Sequence, residues 1–202
     1  MKNILNAFSI VMLLFLVSCD PDDLPGGENI DFTLGQPEIA GTGCQDTTIR
    51  VSDDGKSVEI DTESLTVKAG STFKSLARIN CLAAVPISIP SNYQVAVLPA
   101  TFKGKHLLQE GASLKVSSET FLAGQKGQQA ETQILGKEKG TFKLGTDEYN
   151  NASVSKCGED SILRLNLRLF LKSKNKEAAS AGKITGLAEG EKSIFKLKFI
   201  KC

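Results

Sequence analysis

The chain has 202 residues, the size of one domain or of one domain with appendages. Apolar residues make up 41%, enough for a sizeable core, which excludes wholesale disorder. With 24 Lys and Arg against 23 Asp and Glu, and a single His, the chain is neither a strongly basic nucleic-acid binder nor a histidine-rich metal protein.

Lys2 supplies a positive start, and the run from Ile4 to Val17 is mostly apolar. At about 14 residues this run is shorter than the ~20 of a membrane-crossing helix, so residues 1–18 read as a secretory signal peptide. Leu16-Val17-Ser18-Cys19 resembles the bacterial lipobox. The resemblance implies cleavage just before Cys19, a diacylglyceryl thioether on its sulfur and a third acyl chain on its amine. Two or three such chains, at ~0.8 kcal/mol per buried CH₂, moor a protein stably on a membrane. Asp20 resembles the inner-membrane retention signal of enteric lipoproteins, but that rule varies between bacteria and selects no membrane.

Residues 19–40 then read as a lipidated cysteine and an acidic, flexible tether. Six acids (Asp20, Asp22, Asp23, Glu28, Asp31, Glu38) stand among prolines and glycines with no Lys or Arg. Such a stretch buries too little apolar surface to fold alone, and its like charges extend it. A first strand around Ile30 to Leu34 is the competing reading. Residues 41–202, expected to form a single domain, hold 23 basic and 17 acidic side chains, a net charge of +6. The excess lies in residues 161–202, where ten basic residues meet Glu177, Glu189 and Glu191.

In chain order, Ile49 to Ser52 meets Asp54-Gly55, a favoured hairpin turn, before Ser57 to Asp61. Leu65 to Ala69 stops at Gly70. Phe73 to Ile79 alone looks capable of a helical turn or two. Leu82 to Ile89 ends at Pro90-Ser91-Asn92, Tyr93 to Phe102 follows, and Ser113 to Val116, Gln129 to Leu135 and Thr141 to Leu144 come next. The clearest segment is Ile162 to Lys172. Leu163, Leu165, Leu167, Leu169 and Leu171 share one parity, and Arg164, Asn166, Arg168, Phe170 and Lys172 the other. Period two is a strand with one dry face and one wet one, and a 3.6 period would scatter these leucines. Phe195, Leu197 and Phe199 alternate in the same way with Lys196, Lys198 and Ile200. Short, closely spaced strands predict an all-β antiparallel β-sandwich, jelly-roll-like or Ig-like.

Cys44, Cys81, Cys157 and Cys202 remain once Cys19 is lipidated. An even number in an exported chain predicts two disulfides, with three possible connectivities. Cys44–Cys81 and Cys157–Cys202 are favoured, because each links segments adjacent in sequence. No CxxC pair supports a redox site, and the wide spacing disfavours zinc.

Gly41-Thr-Gly-Cys44, Asn80-Cys81, Ile89-Pro90 with Tyr93-Gln94-Val95-Ala96-Val97, Cys157-Gly158 and Lys201-Cys202 together resemble a family of exported bacterial and fungal proteins known as domain of unknown function 4360. The similarity spans about residues 41–202 and implies a secreted, disulfide-paired, β-rich domain. It carries over no activity and no functional residue. The lipobox and the absence of Trp are departures from its members.

Few residues offer chemistry. His106, in Lys103-Gly-Lys-His106, reads as a surface histidine at a loop or strand end, with no nucleophile or acid organised beside it. Asp46 and Asp53-Asp54 do not have EF-hand spacing, and Asp54-Gly55 is already explained by its turn. Asp147-Glu148 and Glu159-Asp160 are adjacent carboxylates, which on a strand point to opposite faces rather than across a cleft. Tyr93 and Tyr149 are the only Trp- or Tyr-type platforms for a sugar. Arg164, Arg168 and Lys172 share one strand face, and Lys196 and Lys198 another. If those strands were neighbours, the five would form an anion-binding surface; otherwise they line a solvated face or blunt an edge. Phe170 alone interleaves them, which disfavours stacking on nucleic acid.

The chain therefore reads as an envelope lipoprotein, anchored in the membrane by lipid. Its domain is a non-catalytic binding or structural module for an anionic surface polymer, a lipid headgroup or a protein, with no cofactor and no metal. The alternative is a carboxylate-dependent extracytoplasmic hydrolase.

Overall fold

The computed structural model describes residues 32–45, 47–52, 57–61, 65–98, 100–145, 152–186 and 193–202. Over these the chain forms an all-β sandwich of antiparallel sheets. The largest sheet has β1 (Thr33–Leu34) and β2 (Glu38–Ala40) on one side of β6 (Leu76–Ser88), followed by β12 (Ser161–Lys172), β9 (Ser113–Leu122) and β10 (Gln128–Leu135). A second sheet runs β11 (Glu138–Gly145), β8 (Thr101–Leu108), β13 (Ser180–Gly186), β5 (Thr66–Ala69). The third runs β3 (Thr48–Val51), β4 (Ser57–Asp61), β14 (Ser193–Lys201), β7 (Tyr93–Val97).

β12 is the spine of the largest sheet because its alternation is the most complete. Leu163, Leu165, Leu167, Leu169 and Leu171 are all buried, flanked by Cys81, Ala83, Val85 and Ile87 of β6 and by Leu114 and Val116 of β9. The second sheet closes over that face. Leu114 lies so near β13 that a Cβ added to Gly182 would come within 2.7 Å of its methyl carbon. Phe102 of β8 meets Phe195 of β14 with ring centroids 5.6 Å apart, joining the second and third sheets through one core. Burying such side chains is worth roughly 1.5–3 kcal/mol each.

The structure departs from several sequence expectations. Phe73 to Ile79 contains no helical turn; Gly70 and the two residues after it turn the chain, and β6 begins at Leu76 with the same period of two as its later part. Tyr93 to Phe102 is two strands in different sheets, with Pro99, which has no N–H to donate to a ladder, between them. β13 was not foreseen at all. Thr33–Leu34 and Glu38–Ala40, counted with the tether, pair with β6, and Phe32 stacks on Phe199 at 3.7 Å. The sheet thus begins ahead of Gly41.

Two disulfides brace the sandwich. Cys44–Cys81 lies in the core, where Cys44 is 9% and Cys81 1% exposed. The Gly41-Thr-Gly-Cys44 motif sets it up. Gly41 has φ 122° and an added Cβ would lie 2.4 Å from the Asn80 carbonyl oxygen, which accepts a bond from the Gly43 N–H at 2.9 Å. Cys157–Cys202 ties the segment before β12 to the end of β14 and is exposed.

Candidate functional site

The wet parity of β12 faces away from the core and forms the floor of a groove. Antiparallel register fixes its rows, because residues directly opposite each other share a face. Arg164 stands between Ala84 of β6 and Phe121 of β9. Asn166 stands between Leu82 and Glu119, and Arg168 between Asn80 and Ser117. β2 adds a wall, with Glu38 opposite Ala84 and Ala40 opposite Leu82. The resulting groove encloses about 520 Å³.

Its polar groups are partly organised already. Arg168 Nε donates to Asn166 Oδ1 at 3.1 Å, so the buried amide orients the exposed guanidinium. Glu119 Oε1 accepts from Gln129 Nε2 at 3.0 Å, drawing its carboxylate towards β10. Leu82, 40% exposed, offers apolar surface along the groove, and Phe121 adds a half-buried ring.

The five cations named from the sequence do not form one surface. Arg164 and Arg168 line the groove, and Lys172 lies on the same strand face at its far end, opposite Leu76 and Ser113. Lys196 and Lys198 are exposed on β14, whose neighbours are β4 and β7, while those of β12 are β6 and β9. The condition that would have joined them is not met.

His106 is a correction. It is buried at 5% exposure, on the inner face of β8 beside Phe142, with Nε2 3.8 Å from Glu138 Oε1. The alternation Phe102, Gly104, His106, Leu108 points inward, but Gly104 hides it in the sequence. Phe142 supplies the missing bulk, its ring lying where a Gly104 side chain would be. Asp160 also serves the frame. Its Oδ1 accepts from Ile89 N–H at 2.9 Å and Ser88 Oγ at 3.1 Å, while Glu159 pairs with Lys156 at 3.1 Å. Tyr93 is half-buried against the core. Cys19, Asp46, Asp53, Asp54, Asp147, Glu148 and Tyr149 lie outside the described residues. Among the described residues no three His, Cys, Asp or Glu side chains gather as a metal site. The sequence reading missed Asn166 and Glu119 as groove residues, because only the register puts them in one row.

No curated protein matches the sequence. Among solved structures, the chain is similar to the carbohydrate-binding module TmCBM61 in complex with beta-1,4-galactotriose. The TM-score is 0.27 and the identity 9%, over 82% of this chain and 88% of that one. It is also similar to the family 11 carbohydrate-binding module of Clostridium thermocellum in complex with a beta-1,3-1,4-mixed-linked tetrasaccharide. There the TM-score is 0.21 and the identity 12%, over 87% and 92% of the two chains. The residues that marked the family resemblance are frame residues here: Gly41 and Gly43 seat the first bridge, and Cys157 and Cys202 make the second. A family model covers that frame across residues 31–202, and the chain belongs to the family described as Domain of unknown function (DUF4360).

Proposed function

We propose that the domain is a non-catalytic binding module whose groove holds a polysaccharide bearing carboxylate or sulfate groups. The observation that carries this reading is the placement of Arg164, Asn166 and Arg168 in one groove with the apolar surfaces of Leu82 and Phe121. Guanidinium forks match planar oxyanions through paired hydrogen bonds. Asn166 and Glu119 supply the amide and carboxylate that hydroxyl groups bind, and the apolar residues suit the C–H faces of sugar rings. A volume of about 520 Å³ falls within the roughly 300–1,000 Å³ of ligand sites.

The hydrolase alternative requires two facing acids. The groove's acids, Glu38 and Glu119, stand on β2 and β9, with β6 and β12 between them. Three strand spacings of ~4.8 Å put their backbones ~14 Å apart, against carboxyl separations of ~5.5 Å or ~6.5–9.5 Å in glycosidases. The Gln129 contact draws Glu119 further from Glu38. Both features favour binding over hydrolysis.

Two disulfides belong to an oxidising, extracytoplasmic compartment. Lipidated Cys19 would moor the domain there, at the bacterial cell envelope, with residues 20–31 as its spacer. The groove is tested by affinity electrophoresis of the full chain carrying Cys19→Ser in gels containing polygalacturonate or neutral galactan. Polygalacturonate should retard the protein, and Arg164→Ala/Arg168→Ala should weaken that retardation at least about tenfold, the value of one charged hydrogen bond. No retardation, or equal retardation of the variant, would remove the proposal.

A further inference from the structure

The second sheet presents a cationic face that no single segment of the sequence displays. Its strands β5, β8, β11 and β13 contain Lys68, Lys103, Lys105, Lys139, Lys143 and Lys183 against one acid, Glu138. Register places all six lysines on the same side. Lys103 is opposite Lys143, and Lys105 is opposite Lys183. Leu107 lies between Lys139 and Ala181, and Ala181 is opposite Lys68. Glu138 pairs with Leu108, on the inner parity.

Lysine on an edge strand guards against edge-to-edge association. That explanation covers β5 and β11, but Lys103, Lys105 and Lys183 sit on the interior strands β8 and β13. Apolar residues stand out among the cations. Leu107 is 44% exposed, and Phe73 is 46% exposed with Lys68 Nζ 5.7 Å from its ring centroid.

We propose that this face docks on an anionic lipid bilayer. The lysines are spread in two dimensions over four strands, roughly 14 Å at ~4.8 Å per spacing. A plane of headgroups meets all of them at once, whereas a linear polymer would meet one row. Leu107 and Phe73 provide apolar surface at the level of the headgroups. The groove lies on the opposite face of the sandwich, since the second sheet covers the inner side of β12, so docking leaves it open. This inference does not rest on the groove's ligand.

The test is co-sedimentation of the full chain carrying Cys19→Ser with vesicles of phosphatidylglycerol and phosphatidylcholine, and with phosphatidylcholine alone. Each lysine near an anionic surface is worth roughly fivefold in partitioning. Binding to the anionic vesicles should exceed binding to the neutral ones more than about tenfold. It should collapse in 1 M salt, where the Debye length is ~3 Å. Lys103→Glu/Lys183→Glu should lower it at least about 25-fold. The thermal midpoint of the same variant separates the two causes of a loss of binding, because misfolding would lower it and removal of surface charge would leave the cooperative transition in place. Retardation by polygalacturonate should not change. Equal binding to both vesicle types, unaltered binding of the variant, or binding to soluble heparin without binding to vesicles would overturn the proposal.

Discussion

The two disulfides close loops of similar length but sit in different surroundings, and removing each should separate the two contributions. Cys44–Cys81 spans 37 residues and Cys157–Cys202 spans 45. In the chain-entropy model either closure removes about 4 kcal/mol of unfolded-state freedom, with the longer loop slightly ahead. Loop entropy alone therefore makes Cys157→Ala/Cys202→Ala the marginally more damaging pair. Burial reverses the order. Cys81 and Cys44 are core residues, and truncating them leaves unfilled space worth about another 1 kcal/mol per side chain. Cys44→Ala/Cys81→Ala should cost about 5–6 kcal/mol, against about 4 for the exposed pair. Urea unfolding followed by far-ultraviolet circular dichroism measures both, since the chain has no Trp to report by fluorescence. Access gives a second reading. Mild reduction of the native protein followed by alkylation and peptide mass spectrometry should label Cys157 and Cys202 before Cys44 and Cys81. A larger cost at the exposed bridge, or first labelling at the buried one, would refute the claim that burial sets their difference.

Gly104→Ala should destabilise the domain by more than 2 kcal/mol, roughly the upper range for overpacking, because the new methyl meets the Phe142 ring and lies 2.5 Å from the Lys183 carbonyl oxygen. Chemical denaturation of Gly104→Ala in a Phe142→Ala background should show part of that penalty relieved and the carbonyl's share retained; full additivity of the two substitutions would contradict the packing. Radioactive palmitate should label the wild-type chain in a bacterial host and fail to label Cys19→Ser. Label persisting in that variant would reject the anchor.

Much of the frame was legible from local pattern. The alternation from Ile162 to Lys172 announced β12 over nearly its whole length, because a pleated backbone sends successive side chains to opposite faces wherever the strand lies. The groove was half legible. Arg164 and Arg168 stood out by charge and parity, but Leu82, Glu119 and Glu38 joined them only through the register of β6, β9 and β2. His106 and β13 escaped for a related reason. Gly104, Gly140 and Gly182 remove side chains from the second sheet's inner face, and Phe142 and His106 from neighbouring strands and Leu114 from the facing sheet occupy that space. A sequence window sees an apparent loop where three strands share one set of contacts.

The amino-acid sequence alone determined the alternating segments, the pool of four domain cysteines and the surplus of positive charge, all of them properties of residues near one another in the chain. The tertiary structure alone decided which strands became neighbours. That choice parted Lys196 and Lys198 from Arg164 and Arg168, and assembled six lysines from four separate segments on one face. The physical reason is that strand pairing is set by mutual burial of apolar faces across long sequence separations. The outward side chains contribute little to that burial and take whatever partners the core imposes on them.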